Sequence, residues 1–369
     1  MSALASSAFL DRQARTAFIL PTVVMILAFA IFPLLVSAYL TLVRFQLAPG
    51  GYLLTFVGWS NFRKLLFGSE QYHFLGTFNT VTSLEWLLIG ALSVFLIVRL
   101  ARYALGPNAS VIGLIGRVIA AVGLVAALVL CTATIGGSGR LGSLGVTLFY
   151  VTAGVTAQFL IGLGLAYLCT LPVRGRDFYR LVFFLPLMVT PVGIAYMFRM
   201  LADTTVGPLA PVWNAVGLRA TSWAADQWAA RIVVVIGDTW QWVPFMFIVL
   251  LAALEGQPRD QVEAAQIDGA NGWKIFRDIT WPSIAPVAAS VVLIRLIEAF
   301  KIVDLPNILT NGGPGIATES MTLHSFIAWR TLDLGGSAAV AYMLFFVATI
   351  SCVSFFQFVV RRARGEPGR

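Results

Sequence analysis

The sequence predicts an all-α protein, a polytopic membrane helix bundle. Three observations carry that reading. Mean hydropathy is +0.86, and 59% of the 369 side chains are hydrophobic against 11% charged, which is more apolar material than one or two water-soluble cores can hide. Several windows exceed the roughly 20 apolar residues that cross a bilayer. The remaining charges stand mostly at the edges of those windows, where membrane topology places them.

The first apolar run, 17–42, follows Arg12 and Arg15. It is too long for a signal-peptide core and lacks an obvious cleavage site, so it is expected to remain as an anchor. Further spans are expected near 85–101, 111–134, 144–170, 178–200, 231–254, 282–303 and 338–360, eight in all. Each must be helical, because hydrocarbon offers the backbone no other partner. Glu85 opens the second span, and Gly106, Pro107 and Asn108 mark the turn before the third. Trp59 and Phe62 lie in the first outer loop, with Trp213, Trp223 and Trp228 in the loop before the sixth span. They suit interfacial anchoring or contact with a soluble partner.

Lys and Arg number 25 against 17 Asp and Glu, a formal net charge of +8, and only Lys64, Lys274 and Lys301 are lysines. No basic face for nucleic acid emerges. With the N-terminus in the cytoplasm, fifteen basic residues fall on that side: Arg12, Arg15, Arg99, Arg102, Arg117, Arg174, Arg176, Arg180, Arg259, Lys274, Arg277, Arg361, Arg362, Arg364 and Arg369. Eight fall outside: Arg44, Arg63, Lys64, Arg140, Arg219, Arg231, Lys301 and Arg330. That bias puts both termini in the cytoplasm. Cys131, Cys169 and Cys352 are isolated in or beside apolar stretches and read as structural thiols. His73 and His324 make no metal site by count or local spacing. No lysine is followed by Ser or Thr, so the chain lacks a phosphate-binding Gly-Lys-Ser/Thr loop.

One loop on the cytoplasmic side differs from the rest. From Leu254 it reads LEGQPRDQVEAAQIDGANGWKIFRDITWPSIAPV, too polar to span. Pro258 suits a first helical turn, Asp260 adds charge near its positive end, and Val262, Ala265 and Ile267 supply apolar positions, which predicts a helix over 258–267. Asp268 and Gly269 interrupt it, and Asn271 can cap a second helix carrying Trp273, Ile275, Phe276 and Ile279. Pro282 and Pro286 mark the return to the membrane. Small Ala264 and Ala265 allow close approach, Glu263 offers a carboxylate and Phe276 a rigid knob, so the pair has the shape of a plug that passes force to the bundle. A surface-lying connector is the other reading.

Polar groups inside spans are costly unless paired or lining an aqueous route. Asp238, Thr239 and Gln241 cluster in the sixth span beside Trp240 and Trp242, a mixture of aromatic faces and hydrogen-bonding groups that suits either a translocation pathway or helix packing. Pro244 is expected to kink this span. In the seventh, Arg295 and Glu298 are three apart and predict an intrahelical ion pair, structural or gating. Lys301 can snorkel to the headgroups near Asp304. Beyond it, Asn311, Gly312, Gly313 and Pro314 form a tight path that either shapes the outer mouth or is a plain turn.

The run Glu263-Ala264-Ala265 with Asp268-Gly269-Ala270, Phe276, Ile279, Pro282 and Pro286 resembles the EAA loop of binding-protein-dependent ABC importer permeases. Other segments resemble the sugar-importer branch: Arg174-Gly175-Arg176, Phe183-Phe184-Leu185-Pro186, Trp240-Gln241 with Pro244-Phe245, and Asn311-Gly312-Gly313-Pro314 with Thr318. The likeness covers about 144 to 360 and touches Pro21, Pro33 and Gly58 to Phe62. It implies a type I ABC importer permease fold in a bacterial cytoplasmic membrane. The implied partners are a second permease, expected to be a different chain, two cytoplasmic ATPase subunits and an extracytoplasmic solute-binding protein. ATP and Mg are implied in those ATPases, with no cofactor in this chain, and the cargo is a sugar, oligosaccharide or polyol.

The same resemblance assigns Glu263, Ala264, Ala265, Asp268, Gly269 and Phe276 to ATPase coupling, and divides the chain into N-terminal spans over 1–143, a core over 144–360 containing the coupling loop 255–281, and a basic tail 361–369. Two departures stand out: an additional hairpin near 85–134, and Trp281 where Leu is common. Residue polarity alone also permits an ion-coupled secondary transporter using Asp238 or the Arg295/Glu298 pair, or a structural or signalling membrane subunit. The EAA helix pair argues against the carrier, which needs no ATPase plug.

Overall fold

The structure is a computed structural model that describes residues 18–78, 82–106, 110–135, 140–171, 174–217, 223 and 225–357. Arg12, Arg15, Asn79, Thr80, Pro107, Asn108, Arg219 and the 361–369 tail lie outside the described residues. The chain forms two compact units, Met1–Lys64 with Ser325–Tyr342, and Leu65–His324 with Met343–Arg369.

In the first unit, α1 (Phe18–Leu40) is long enough to cross a membrane and its apolar window is 0% buried within the chain. Strands β1 (Val43–Ala48) and β2 (Gly51–Phe56) follow as an antiparallel hairpin. The sequence VRFQLAPGGYLLTF alternates and turns at Pro49-Gly50, where Gly50 takes the φ of 91° that the second central residue of a type II turn requires. Helix α2 (Ser60–Phe67) begins beside it. Asn61 is buried and donates to the carbonyls of Thr41 (2.8 Å) and Val43 (3.0 Å), which fixes the exit from α1.

The second unit holds the bundle. Short α3 (Gln71–Phe74) precedes α4 (Ser83–Ala104) and α5 (Val111–Ile135), the additional hairpin. Glu85 turns out to be a cap: its carboxylate accepts from the Thr82 amide at 2.7 Å while the Thr82 hydroxyl receives the Glu85 amide. Helix α6 (Ser143–Thr170) contains a π turn over Tyr150–Gly154. It packs along α10 (Gln227–Glu255), where a Cβ added to Gly162 would stand 2.6 Å from the Met246 Cβ, so only glycine permits that approach. Met246, Phe247, Leu250, Ile284 and Val291 fill the core beside this seam.

The expected continuous span at 178–200 is instead broken. Helix α7 (Arg176–Phe184) runs into a 3-10 turn over Leu185–Met188, and α8 (Pro191–Ala202) departs at 100°. Pro191 forces Thr190 into an extended conformation, and the Thr190 hydroxyl then caps the new helix at the Gly193 amide. Phe183 of the first piece meets Phe247 of α10, and Phe198 of the second meets Trp240 about two turns earlier on the same helix. Among the described residues seven unbroken helices are long and apolar enough to cross a membrane, and this bent pair makes an eighth if its two pieces count as one span.

Short α9 (Ala210–Ala215) precedes α10, and α11 (Arg259–Ile267) follows it. The helix after α11 continues without a break into the next span as α12 (Gly272–Ala299), so Pro282 and Pro286 lie within a helix rather than at its entry. A π turn over Phe276–Thr280 widens the coil just before Pro282, whose ring would otherwise crowd the preceding turn. Helices α13 (Asp304–Thr310), α14 (Met321–Arg330) and α15 (Leu334–Phe355) follow among the described residues.

Candidate functional site

The polar loop and the buried polar side chains occupy different levels of the second unit. At the loop, α11 closes in a Schellman motif: the Ala270 amide reaches the Ala265 carbonyl (2.9 Å) and the Gly269 amide reaches that of Gln266 (3.0 Å). Gly269 supplies the required left-handed turn at φ 79°. The Asn271 side chain then caps α12, accepting from the Lys274 amide at 2.8 Å. The two helices therefore meet at a glycine turn held by backbone bonds.

That pair is fastened to the bundle at its base. Gln257 donates to Thr280 across the loop (3.4 Å), and Arg180 of α7 bonds both Glu255 and the Cys169 carbonyl. Phe276 does not project as a free knob: it is half-buried, edge-on to Tyr167 (5.8 Å) and beside Trp273 and Trp281. The projecting apolar groups are Ile267, 87% exposed, and Trp273, 68% exposed. Glu263, Ala264, Asp268 and Gly269 share this exposed surface, with Ala265 partly covered.

Inside the bundle, Asp238 accepts from Gln158 at 2.8 Å, Arg295 donates through Nε to Gln158 Oε1 at 2.7 Å, and a second Arg295 nitrogen bonds Asp238. Gln158, Asp238 and Arg295 are buried on α6, α10 and α12 respectively, and the Arg295 guanidinium also lies over the Trp242 ring at 4.6 Å. Gly154, at the π turn of α6, leaves room for the Asp238 carboxylate, which a Cβ there would approach to 3.3 Å. Every charge thus meets a partner, as a low-dielectric interior requires.

This overturns the expected Arg295–Glu298 pair. Glu298 bonds Lys301 at 2.6 Å on an exposed face of α12, so Lys301 is ion-paired as well as interfacial, and Arg295 points across to α10. A neighbour at i+3 satisfies local spacing, but helix packing presents Arg295 with a buried carboxylate that needs it more. Thr239 and Gln241 are buried nearby, and the Thr239 hydroxyl is unpaired. Gln158, which completes the network, went unnoticed because a single Gln in an apolar helix carries no pattern.

A third constellation closes the Asn311 to Pro314 turn. Asn311 and Gly312 adopt left-handed conformations, Gly313-Pro314 is cis, and Thr318 reaches back to the Gly312 and Gly313 carbonyls at 3.0 Å. Glu319, buried against Gly312, receives His73 at 2.9 Å, and His73 stacks on His324, ring centroids 4.0 Å apart. His324 bonds Ser143 at 3.0 Å. Arg231 and Tyr150 donate to the carbonyls of Ala317 and Thr318. The turn is a built structure anchored on α3, α6 and α10.

The two histidines, isolated in sequence, are brought together with two carboxylates. Ligand atoms of Glu70, His73 and His324 lie within 4.8 Å of one another, the spacing at which three groups can share a cation. In this structure His73 already faces Glu319 and Glu70. Burial pushes the His73 pKa down, but the Glu319 hydrogen bond and charge, with help from Glu70, outweigh it and leave it raised. Burial, reinforced by His73, pushes His324 down to about 3.

The chain is a multi-pass helix bundle with an exposed helix pair on one loop. The family model described as binding-protein-dependent transport system inner membrane component matches residues 158–365, from Gln158 through the loop and past the last described span. The chain belongs to that family and is a permease subunit. It is 30% identical over 200 residues to the trehalose/maltose transport system permease protein MalF of Thermococcus litoralis, covering 54% of this chain and 68% of that one. It is 28% identical over 226 residues to the trehalose transport system permease protein SugA of Mycobacterium tuberculosis, covering 61% and 72%. A chain in the crystal structure of a bacterial alginate ABC transporter with its alginate pentasaccharide-bound periplasmic protein has the same fold, with a TM-score of 0.60 at 15% identity over 98% of this chain and 99% of that one.

Proposed function

We propose that this chain forms half of the translocation path of an ATP-driven importer for a sugar, oligosaccharide or related polyol, in a bacterial cytoplasmic membrane. Its partners are a second, different permease, two cytoplasmic ATPases bearing ATP and Mg, and an extracytoplasmic solute-binding protein. Both termini and the 255–281 loop face the cytoplasm. Residues 144–360 are the transport core, 1–143 its N-terminal addition and 361–369 a basic tail. The observation that carries this reading is the rigid, exposed helix pair around Gly269, whose uncovered Ile267 and Trp273 call for a protein groove. Glu263, Ala264, Ala265, Asp268 and Gly269 form its docking face, with Phe276 transmitting displacement to Tyr167 of the bundle. Thr239, Gln241 and Trp242 border the route, while the Asp238–Arg295–Gln158 network holds three spans in register as the assembly alternates access. An ion-coupled carrier needs a carboxylate free to change protonation, and Asp238 is tied to an arginine instead.

The test is uptake into vesicles containing the reconstituted complex with its ATPases and binding protein, using trehalose, maltose and alginate oligosaccharides. Glu263→Ala and Gly269→Val are expected to lower ATP-driven uptake at least about tenfold while the complex still binds its receptor. Unchanged uptake in both variants, or uptake without ATPase subunits, would refute the reading.

A further inference from the structure

Between the additional hairpin and the bundle lies a slot of about 940 Å³ that the transport reading does not use. Its walls are α4, α5, the start of α6 and the end of α15. Leu92, Leu96, Leu124, Ala127, Leu148 and Ile350 make most of it apolar. Its polar groups gather where the hairpin turns: Arg99 and Tyr103 near the end of α4, Arg117 near the start of α5, and Gln357 beyond α15.

Neither arginine rests on an acid here. Arg117 lies 3.3 Å from the centroid of the Tyr103 ring, and Arg99 lies 5.3 Å from that of Phe95. No carboxylate lines the slot among the described residues. Arg117 also donates one N–H to the Gly113 carbonyl (3.4 Å), and both guanidinium groups lie over aromatic faces with further N–H donors left for an anion. At 22 residues, α4 is about 33 Å long, close to the roughly 30 Å of hydrocarbon in a bilayer, and both arginines lie within about 10 Å of its hairpin end, near enough for their long side chains to reach a headgroup, while the leucines line the acyl depth.

We propose that this slot is a binding site for an anionic phospholipid, its acyl chains between the hairpin and α15 and its phosphate between Arg99 and Arg117. Cations at one end of an apolar slot complement that amphiphile, and basic pockets between spans recognise such headgroups. An inserted protein helix would satisfy the apolar walls but would have to bring its own acids to the arginines.

The test uses the full chain extracted in mild detergent, moved into nanodiscs containing equal amounts of phosphatidylglycerol and phosphatidylcholine, and read by native mass spectrometry for retained lipid. The wild type is expected to retain phosphatidylglycerol preferentially. Arg99→Gln with Arg117→Gln is expected to cut that preference roughly thirtyfold, since two basic groups near a headgroup together contribute about 2 kcal/mol and each 1.4 kcal/mol is about tenfold. Leu124→Trp, which fills the apolar part and leaves both arginines, is expected to release both lipids and serves should the double variant not fold. Equal retention of the two lipids by the wild type, unaltered preference in a folded double variant, or efficient cross-linking of Ala127→Cys to a partner permease helix would overturn the proposal.

Discussion

Truncating Arg295 would leave the Asp238 carboxylate buried without its cation, and that loss is the heaviest single-residue penalty expected in this chain. Arg295→Met is predicted to cost about 3–5 kcal/mol. Glu298→Gln removes only an exposed pair with Lys301 and is predicted to cost less than about 1 kcal/mol. Denaturant or thermal unfolding in detergent distinguishes them, and comparable costs would reinstate a pair within α12. Asp238→Leu combined with Arg295→Met should recover much of the loss, because the paired charges are removed together. The histidines carry a pH signature. His73 is raised, so its bond to Glu319 contributes fully below the ordinary value of about 6.5 and fades as pH rises through the folded value. His324 is pushed down to about 3, so its neutral burial is favourable above about 6.5 and increasingly costly as pH falls towards that lower value. The destabilisation by His73→Gln should therefore grow between about pH 8 and 5, and that by His324→Gln should shrink. Parallel profiles would count against the opposed shifts.

At the scale of elements, the seam between α6 and α10 depends on close approach. Gly162→Ala would drive a Cβ against Met246 and is predicted to cost about 1–3 kcal/mol. Gly164, two residues on, has nothing within 4 Å, and Gly164→Ala should be neutral or stabilising by up to about 1 kcal/mol. Equal melting temperatures for the two variants would mean the seam tolerates more than its geometry allows. The helix boundaries were largely readable: Asn271 as cap and Gly269 as turn serve as local chemistry indicates, while Pro258, expected in the first turn, stands one residue earlier as the extended N-cap of α11. The break in the fifth span was written in LPLMVTPVG, yet hydropathy, which averages over windows, smoothed it into one passage. The β hairpin was missed for a similar reason, since its short alternating arms border an apolar run.

For the whole molecule, sidedness is the property on which every functional statement converges. In the proposed orientation the excess of arginines around the hairpin turn, in the Arg174 to Arg180 segment and in the loop after α10 faces the cytoplasm. A cysteine placed at Glu263 should be labelled by a membrane-impermeant thiol reagent only from the cytoplasmic face, and one at Asn311 only from outside, with native cysteines replaced by Ala. The reverse pattern would invert the docking surface. The α1 window, unburied within the chain, needs lipid or a second subunit to cover it.

Composition, hydropathy and local turn chemistry were enough to identify a membrane bundle with a helix pair on its polar loop, because each of those signals is written within a few helical turns of one segment. Which buried side chains meet was decided by tertiary packing alone. Gln158, Asp238 and Arg295 lie up to 137 residues apart, and His73 and Glu319 are separated by 246. Their pairing follows from desolvation: a buried charge takes whichever opposite group the packed helices deliver, and no periodicity along one helix records what the neighbouring helices present.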